Sequence, residues 1–495
     1  MTYTILDCYT DEPSGLGVPP YIGTYPRYLY GAIKEKLKEI GQGNDDIYYI
    51  TIDDLRLHVL FEGVVKKSMK TNTRINNLSV NYPNISKILA KTDILVVNAG
   101  VQTPGKYLSA VPGTLFEVRK VIKDLRSRKI LVGPGAMAGT RLEGGKKAEK
   151  IDTSMFDQVE PNFLSINDYD KINKYGVVGA EVCKQHPDFI KNPDFIMAEI
   201  ETGKGCLGGK CSFCTEPLKN KLEFREQKDV LVEVKALQKI GVNNFRLGKQ
   251  SCFYSYKMGD KVEVGKLLKG ISSLNPNTLH IDNANPNKVT EDITKLIVKH
   301  CTPGNIAAFG VESFDKDVIK ANNLNTSPEQ TFKAVEIINK YGKVIGDNGM
   351  PKFLPGINLL LGLIGEKKKS HEENMFWLQK VIDENLLLRR INIRQVTAFP
   401  GTPIYEIGNK VFRKNKKYYW KWRNEIRQKI DYPMLQKLVP KGSVLRNCRT
   451  EIYDGNTTFC RQLGTYPLII GVKKRLPLNE FVKIKVENHM LRSLV

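Results

Sequence analysis

Cys206, Cys211 and Cys214 stand as C-x4-C-x2-C in the segment Glu201-Thr-Gly-Lys-Gly-Cys-Leu-Gly-Gly-Lys-Cys-Ser-Phe-Cys-Thr-Glu-Pro217. Thiolates are soft ligands, and three on one glycine-rich loop make a metal site the default reading. Three is the informative number. A [4Fe–4S] cube held by three cysteines keeps one iron without a protein ligand, free to bind and activate a small molecule. Zinc is the alternative, but a structural zinc site closes its tetrahedron with a fourth Cys or His. The nearest downstream histidine is His280, and the chain holds no second Cys-x-x-Cys pair. Gly203, Gly205, Gly208 and Gly209 let the loop wrap closely around a bulky object, because glycine tolerates positive φ and adds no side chain.

Such a loop needs a scaffold. From about 192 to 410, candidate strands Phe195–Ile200, Asn244–Leu247, Thr278–Ile281, Ile306–Val311, Ile357–Leu363 and Ile391–Val396 alternate with helical patterns such as Asp229–Ile240, Glu291–Lys299, Pro328–Tyr341 and Ser370–Glu384. Alternation of this kind predicts a partial (β/α)6 barrel with its chemistry at the carboxyl ends of the strands. The cysteine loop follows the first of them. Residues 1 to about 185 show a separate alternation, with short apolar runs at Tyr3–Leu6, Ile47–Ile50, Asp93–Val97 and Lys129–Val132 and helical stretches at 27–40 and 114–125. That pattern predicts a Rossmann-like doubly wound sheet, with Asn98–Gly100 and Gly133–Gly135 at strand ends where open sheets bind ligands.

After 410 comes the aromatic and basic stretch Arg413-Lys-Asn-Lys-Lys-Tyr-Tyr-Trp-Lys-Trp-Arg423. Short strand-like pieces follow at Thr450–Tyr453, Thr457–Cys460, Tyr466–Ile470 and Phe481–Val486. They predict a small β-rich, barrel-like domain. The fold expected is therefore α/β in three parts: 1–185, 192–410, and 411–495.

Composition bounds the rest. With 495 residues and 76 Lys+Arg against 53 Asp+Glu, a net charge of +23, the chain is long enough for two or three cores and suits a polyanionic partner such as RNA. No run approaches the ~20 apolar residues of a membrane span, and no leader pattern opens the sequence. A cytoplasmic protein with no membrane partner is expected. Nine thinly spread cysteines read as reduced thiols, with Cys252 and Cys301 as core residues.

The order of these motifs resembles the radical S-adenosylmethionine (SAM) superfamily, in particular an archaeal-type iron–sulfur branch with a cobalamin-binding-like domain ahead of the core. The usual cluster motif is C-x3-C-x2-C, so this loop carries one extra residue. Phe213 stands where family members place an aromatic beside the adenine. Phe245-Arg-Leu-Gly-Lys-Gln250 resembles the glycine-containing turn after the second strand, offering Gly248, Lys249 and Gln250 to the methionine moiety. Phe309-Gly-Val-Glu-Ser313 ends the fourth strand, with Glu312 and Ser313 as polar contacts. Gly362 lies in a segment like the fifth-strand element behind the adenine, and Thr397 opens the Pro-Gly-Thr-Pro-like segment after the sixth.

The resemblance implies an enzyme with a [4Fe–4S] cluster on Cys206, Cys211 and Cys214 that cleaves SAM to a 5′-deoxyadenosyl radical and takes electrons from a reductant protein. RNA or another macromolecule is the expected substrate. Methylthiolation is disfavoured, because the N-terminal domain has only Cys8 and Cys183 and the family's methylthiotransferases use three cysteines there for a second cluster. Cobalamin is left open as a further cofactor, without the Asp-x-His-x-x-Gly ligand motif. Two alternatives stand beside this reading: a cobalamin-dependent methyltransferase acting on a small molecule or protein, and a non-enzymatic zinc-containing RNA-binding protein. His280 and Asp282, at the end of the third strand, are either substrate contacts or satisfied core residues.

Overall fold

A computed structural model describes residues 1–9, 21–42, 47–63, 76–100, 110–140, 144–148, 152–408 and 410–495. The chain forms two compact units. One comprises Met1–Leu142, Ala148–Glu201 and Arg225–Phe245, the other Glu143–Lys147, Thr202–Phe224 and Arg246–Val495.

The first unit is built on a parallel sheet. Its elements are β1 (Tyr3–Asp7), α1 (Thr24–Glu39), β2 (Ile47–Thr51), β3 (Ile94–Asn98), α2 (Leu115–Ile122), β4 (Arg128–Val132) and β5 (Gln158–Val159), with sheet order β2-β1-β3-β4-β5. Every residue of β1 and β3 is buried, as expected for parallel strands covered on both faces. The register aligns Asp7 with Thr51 and Asn98, and Asn98 with Val132, so four strand ends form one row.

Helix α1 packs against α3 (Tyr169–Val178) through glycines. A Cβ on Gly31 would lie 2.1 Å from the carbonyl oxygen of Tyr175, and one on Gly179 only 1.8 Å from that of Arg27. Strand β6 (Met197–Glu201) and helix α4 (Gln227–Lys239) complete the unit. Within it, Glu233 of α4 receives Arg27 of α1 and, at 2.6 Å, Arg225, with all three side chains fully buried. Burial would raise the Glu233 carboxyl, but the two guanidiniums outweigh it and hold it below the usual range.

The chain enters the second unit within β7 (Asn244–Gly248). There follow α5 (Lys261–Ser272), β8 (Thr278–Ile281), α6 (Glu291–His300), β9 (Asn305–Glu312), α7 (Pro328–Gly342), β10 (Phe353–Leu361), α8 (Lys368–Asp383) and β11 (Arg390–Gln395). Start signals explain several helices. Asp260 caps α5 by accepting from the amides of Val262 and Glu263, and Ser327 with Gln330 forms a capping box on α7. Asn283–Ala284, β9, β10 and β11 pair in parallel in that order, with a bulge between Gly310 and Glu312.

Helix α9 (Lys416–Ile426) buries Tyr419, Trp422 and Ile426. The tail is an antiparallel sheet of β12 (Val444–Asp454), β13 (Thr457–Gln462), β14 (Ile469–Val472) and β15 (Phe481–Lys485) in the order β14-β13-β12-β15. Strands β14 and β15 are opposite edges, so the sheet is open where the sequence suggested a small barrel. Leu445, Cys448, Cys460, Ile470, Val486 and Leu494 form its core, together with Met350 and Leu354 from the parallel part of the unit.

The mixed α/β class expected from the alternation is the one observed, with parallel sheets and a separate antiparallel sheet at the end of the chain. Among the described residues no helix is long and apolar enough to cross a membrane.

Candidate metal centre

The cysteine loop is closed by a two-residue hairpin stem, Gly203 pairing with Phe224 and Lys204 with Glu223. Cys206, Cys211 and Cys214 are free and half-buried. Backbone amides turn toward two of the sulfurs: Gly209 N donates to Cys206 Sγ at 3.5 Å and Glu216 N to Cys214 Sγ at 3.4 Å. Gly209 has φ +52°, so the additional residue between the first two cysteines is absorbed where glycine adopts left-handed backbone. Glu216 braces the loop from inside, accepting from Gly205 N at 2.9 Å and from Asn220 Nδ2 at 3.0 Å.

Ser212, between the second and third cysteines, ties the loop to its surroundings. Its amide donates to the Asn322 carbonyl at 3.0 Å, its hydroxyl to Asn322 Oδ1 at 2.7 Å, and its carbonyl accepts from Ile404 N at 3.0 Å. Ile404 follows the Pro-Gly-Thr-Pro segment, which therefore docks directly on the cysteine loop. Asn322 is fully buried and also donates to the carbonyls of Val318 and Ile364. Neither Ser212 nor Asn322 stood out in the sequence. The one available signal was the run Asn322-Asn-Leu-Asn325 just past a helical pattern, a composition typical of helix ends and turns.

Burial, reinforced by the neighbouring thiols and, for Cys211, by Glu312, pushes Cys211 up to about 12. Cys214 is pushed to about 11, again chiefly by burial. Cys211 and Cys214, so raised, become thiolates only beside a strongly positive centre, and a glycine-lined loop with three cysteines and amides aimed at sulfur fits an iron–sulfur cluster. Among the described residues no three His, Cys, Asp or Glu side chains are gathered around a point that a single ion would occupy.

Three strand ends in this unit share an unusual backbone. Lys249 after β7 has φ +71°, Glu312 at the end of β9 has φ +65°, and Gly362 after β10 has φ +93°. Left-handed backbone at non-glycine residues costs energy and concentrates at ligand sites. Gln250 is buried beside Lys249. Thr202 donates its hydroxyl to Gln250 Oε1, leaving Gln250 Nε2 without a partner, while Ser251 Oγ donates to the Gly205 carbonyl at 2.9 Å. Burial pushes Glu312 up to about 7, partly opposed by Arg394.

The remaining sequence-named residues fall around these. Gly248 is the last residue of β7. Ser313 is buried and accepts from Asp315 N at 3.1 Å. Gly362 donates to Glu366 Oε2 at 3.0 Å, and Glu366 in turn accepts from Tyr419 and Asn415. Phe213 packs on the cluster of Leu363, Val396, Ala398 and Ile404. Thr397 lies between two residues bonded to the segment Gly144–Ala148: Gly145 N donates to the Val396 carbonyl at 2.6 Å, and Ala398 N to the Lys146 carbonyl at 3.1 Å. A Cβ on Gly144 would lie 2.3 Å from the Gln395 carbonyl, so this strap requires glycine.

Residues 200–378 match the sequence model of the Radical SAM superfamily. The chain belongs to the radical SAM superfamily. Its members are enzymes that use a [4Fe–4S] cluster and SAM and need a reductant, which sets aside the zinc-containing binding-protein alternative. An uncharacterized protein of Methanocaldococcus jannaschii is 40% identical over 99% of this chain and 92% of its own length. The ribosomal protein uS12 methylthiotransferase RimO of Elusimicrobium minutum is 24% identical over 61% of this chain and 68% of its own. Among solved structures, the radical SAM methyltransferase TsrM of Kitasatospora setae, with cobalamin and a [4Fe–4S] cluster bound, is 12% identical over 82% of this chain and 77% of that one, with a TM-score of 0.47.

Of the two alternatives left open for His280 and Asp282, their contacts favour satisfied core residues. His280 is buried: Thr465 N donates to its Nδ1 at 3.2 Å, so Nε2 carries the proton and donates to the Pro303 carbonyl at 3.3 Å. Burial holds this ring down at about 4, a neutral core histidine. Asp282 is likewise engaged, by Tyr466 Oη at 2.6 Å and by Arg246.

Along the row of strand ends in the first unit several polar groups bond to one another, while both side-chain polar atoms of Asn98 are buried without a partner among the described residues. Tyr49 Oη donates to Asp7 Oδ2 at 2.9 Å, Tyr9 Oη to Asp53 Oδ2 at 3.1 Å, and Ser79 N to Asp54 Oδ1 at 2.9 Å. A Cβ on Gly133 would meet Asn98 Oδ1 at 2.6 Å. The glycines of Gly133-Pro-Gly135 thus allow close contact between two strand-end loops. Residues 10–20 and 101–109, which follow the ends of β1 and β3, lie outside the described residues.

Proposed function

We propose that this enzyme reductively cleaves SAM at a cluster held by Cys206, Cys211 and Cys214 and modifies RNA or another macromolecule. The observation that carries the reading is the cysteine loop itself, pinned by Ser212 to Asn322 and Ile404 and joined by Ser251 to the turn bearing the unpartnered Gln250 amide. When bound, cluster and SAM together supply a 5′-deoxyadenosyl radical that removes a hydrogen atom from substrate.

The protein's part is to hold and orient. Gly248, Lys249 and Gln250 offer backbone and side-chain donors to the methionine moiety. Glu312 and Ser313 supply polar contacts, and Phe213, Gly362 and Thr397 bound the adenine side. The bulge at Gly310–Glu312 re-aims the Glu312 side chain, a recurrent role for bulges beside active sites.

The RNA part of the reading is supported by the net charge of +23. Methylthiolation is disfavoured, since Cys8 and Cys183 are single, fully buried thiols. The deciding experiment is anaerobic purification with iron and sulfide quantitation and a dithionite assay for 5′-deoxyadenosine, comparing wild type with a C206A/C211A/C214A variant. About four irons per chain and SAM cleavage, both lost in the variant, support the reading. A colourless wild-type protein without cleavage overturns it.

A further inference from the structure

Helix α9 has two faces. Tyr419, Trp422 and Ile426 are buried, whereas Lys416, Lys417, Trp420, Lys421 and Arg423 face solvent. Trp420 is 77% exposed, and Arg423 lies 5.3 Å from its ring centroid. A large aromatic left in water among cations is a poor packing solution and a good stacking platform.

Arginines continue from this helix toward β11. Arg423, Arg427, Arg492, Arg389, Arg390 and Arg394 influence one another in sequence, and Arg394 in turn acts on Glu312 at the candidate site. Besides Glu312, two carboxylates act on this group, and both are already engaged. Asp431 pairs with Arg427, and Asp282 is held by Arg246 and Tyr466. Arg389 is used internally, donating to the Tyr466 carbonyl at 2.5 Å, and Arg390 stacks 4.1 Å from the Tyr466 ring centroid. Arg394, Arg423 and Arg492 are exposed, and among the described residues no carboxylate is bonded to them. Positive charge here exceeds what the protein neutralises.

We propose that Arg423, Arg492 and Arg394, with Trp420 at the outer end, form a track for single-stranded RNA, the arginines taking phosphates and Trp420 stacking a base. Arg389, Arg390 and Arg427 strengthen the field from beneath. The inference rests on the reading of this enzyme as one that modifies RNA and names the surface that would deliver the strand. An exposed tryptophan among cations favours nucleic acid over an acidic protein, which would engage the charges and leave the ring unused.

The test is fluorescence anisotropy of a 5′-labelled, mixed-sequence single-stranded RNA with the full chain at several salt concentrations. Removing both side chains in R423A/R492A is expected to weaken binding on the order of tenfold or more and lower the slope of log K against log salt by about 1.4. Trp420→Ala is expected to weaken it on the order of tenfold. Lys261→Ala with Lys266→Ala removes equal charge from α5, where both lysines pair with acids, and should leave binding as in wild type. No binding by wild type, equal loss in the α5 control, or displacement of the RNA by an equal charge concentration of polyglutamate would each overturn the track. Formation of 5′-deoxyadenosine by wild type reports separately on the chemistry. Cleavage without RNA binding sinks the track alone, and RNA binding without cleavage sinks the proposed reaction alone.

Discussion

Ser212 and Asn322 are joined twice, amide to carbonyl at 3.0 Å and hydroxyl to Oδ1 at 2.7 Å, and the same Oδ1 accepts from Ile364 N at 3.2 Å. One buried side-chain oxygen therefore fixes both the cysteine loop and the turn after β10. Asn322→Ala leaves those donors unpaired, at a cost of about 1–3 kcal/mol for each that stays buried. The expected outcome is a lower melting temperature and fewer irons per chain after reconstitution. A variant that keeps its full iron complement would show that the cysteine loop holds its shape unaided.

Gln250 Nε2 is a buried donor with no partner inside the protein, as expected of a group that completes its bonding with a ligand. Gln250→Ala is expected to raise the dissociation constant for SAM on the order of tenfold, equivalent to about one hydrogen bond. Equilibrium dialysis of the reconstituted protein measures it. An unchanged constant removes Gln250 from the site.

Lys249 and Glu312 occupy backbone that glycine adopts more cheaply. Lys249→Gly and Glu312→Gly should each recover strain of about 1 kcal/mol, visible as an equal or higher melting temperature, while SAM cleavage falls. Loss of both stability and activity would mean that these side chains are structural.

His280 has its folded-state value depressed from 6.5 to about 4, so its neutral form belongs to the native state. The unfolded chain binds the extra proton between these limits, and stability present above pH 6.5 is lost as pH falls toward 4. The full effect is about 3 kcal/mol. Urea titrations across this interval should show wild type losing that much more than His280→Gln. Parallel curves would place the ring in a wetter environment than its contacts imply.

Much of the scaffold was legible because buried parallel strands are short apolar runs between helical periods, as at β1, β2 and β4. Edges were less so. Asn192 caps a turn through Pro193–Phe195, accepting from Asp194 N, and this delays β6 to Met197. Strand β10 begins at Phe353, ahead of Pro355-Gly356 and of the expected start at Ile357. Pro355 sits early in the strand, where its carbonyl still accepts from Arg389 N at 2.9 Å. The cysteines were legible through spacing, but their supports were not. Asn322, Glu216 and Glu366 act through contacts with residues brought near by folding, and no local pattern marks a buried polar hub.

Gly144–Lys147 lies along the end of β11, yet the chain up to Leu142 and from Ala148 onward belongs to the other unit, and Arg225–Phe245 makes the opposite excursion. The two units are thus interleaved along the gene. A recombination breakpoint near residue 190, where an outside observer would cut, removes the strap beside Thr397 from one product and leaves Arg27 without Glu233 in the other. Neither unit can be excised as one contiguous block of sequence.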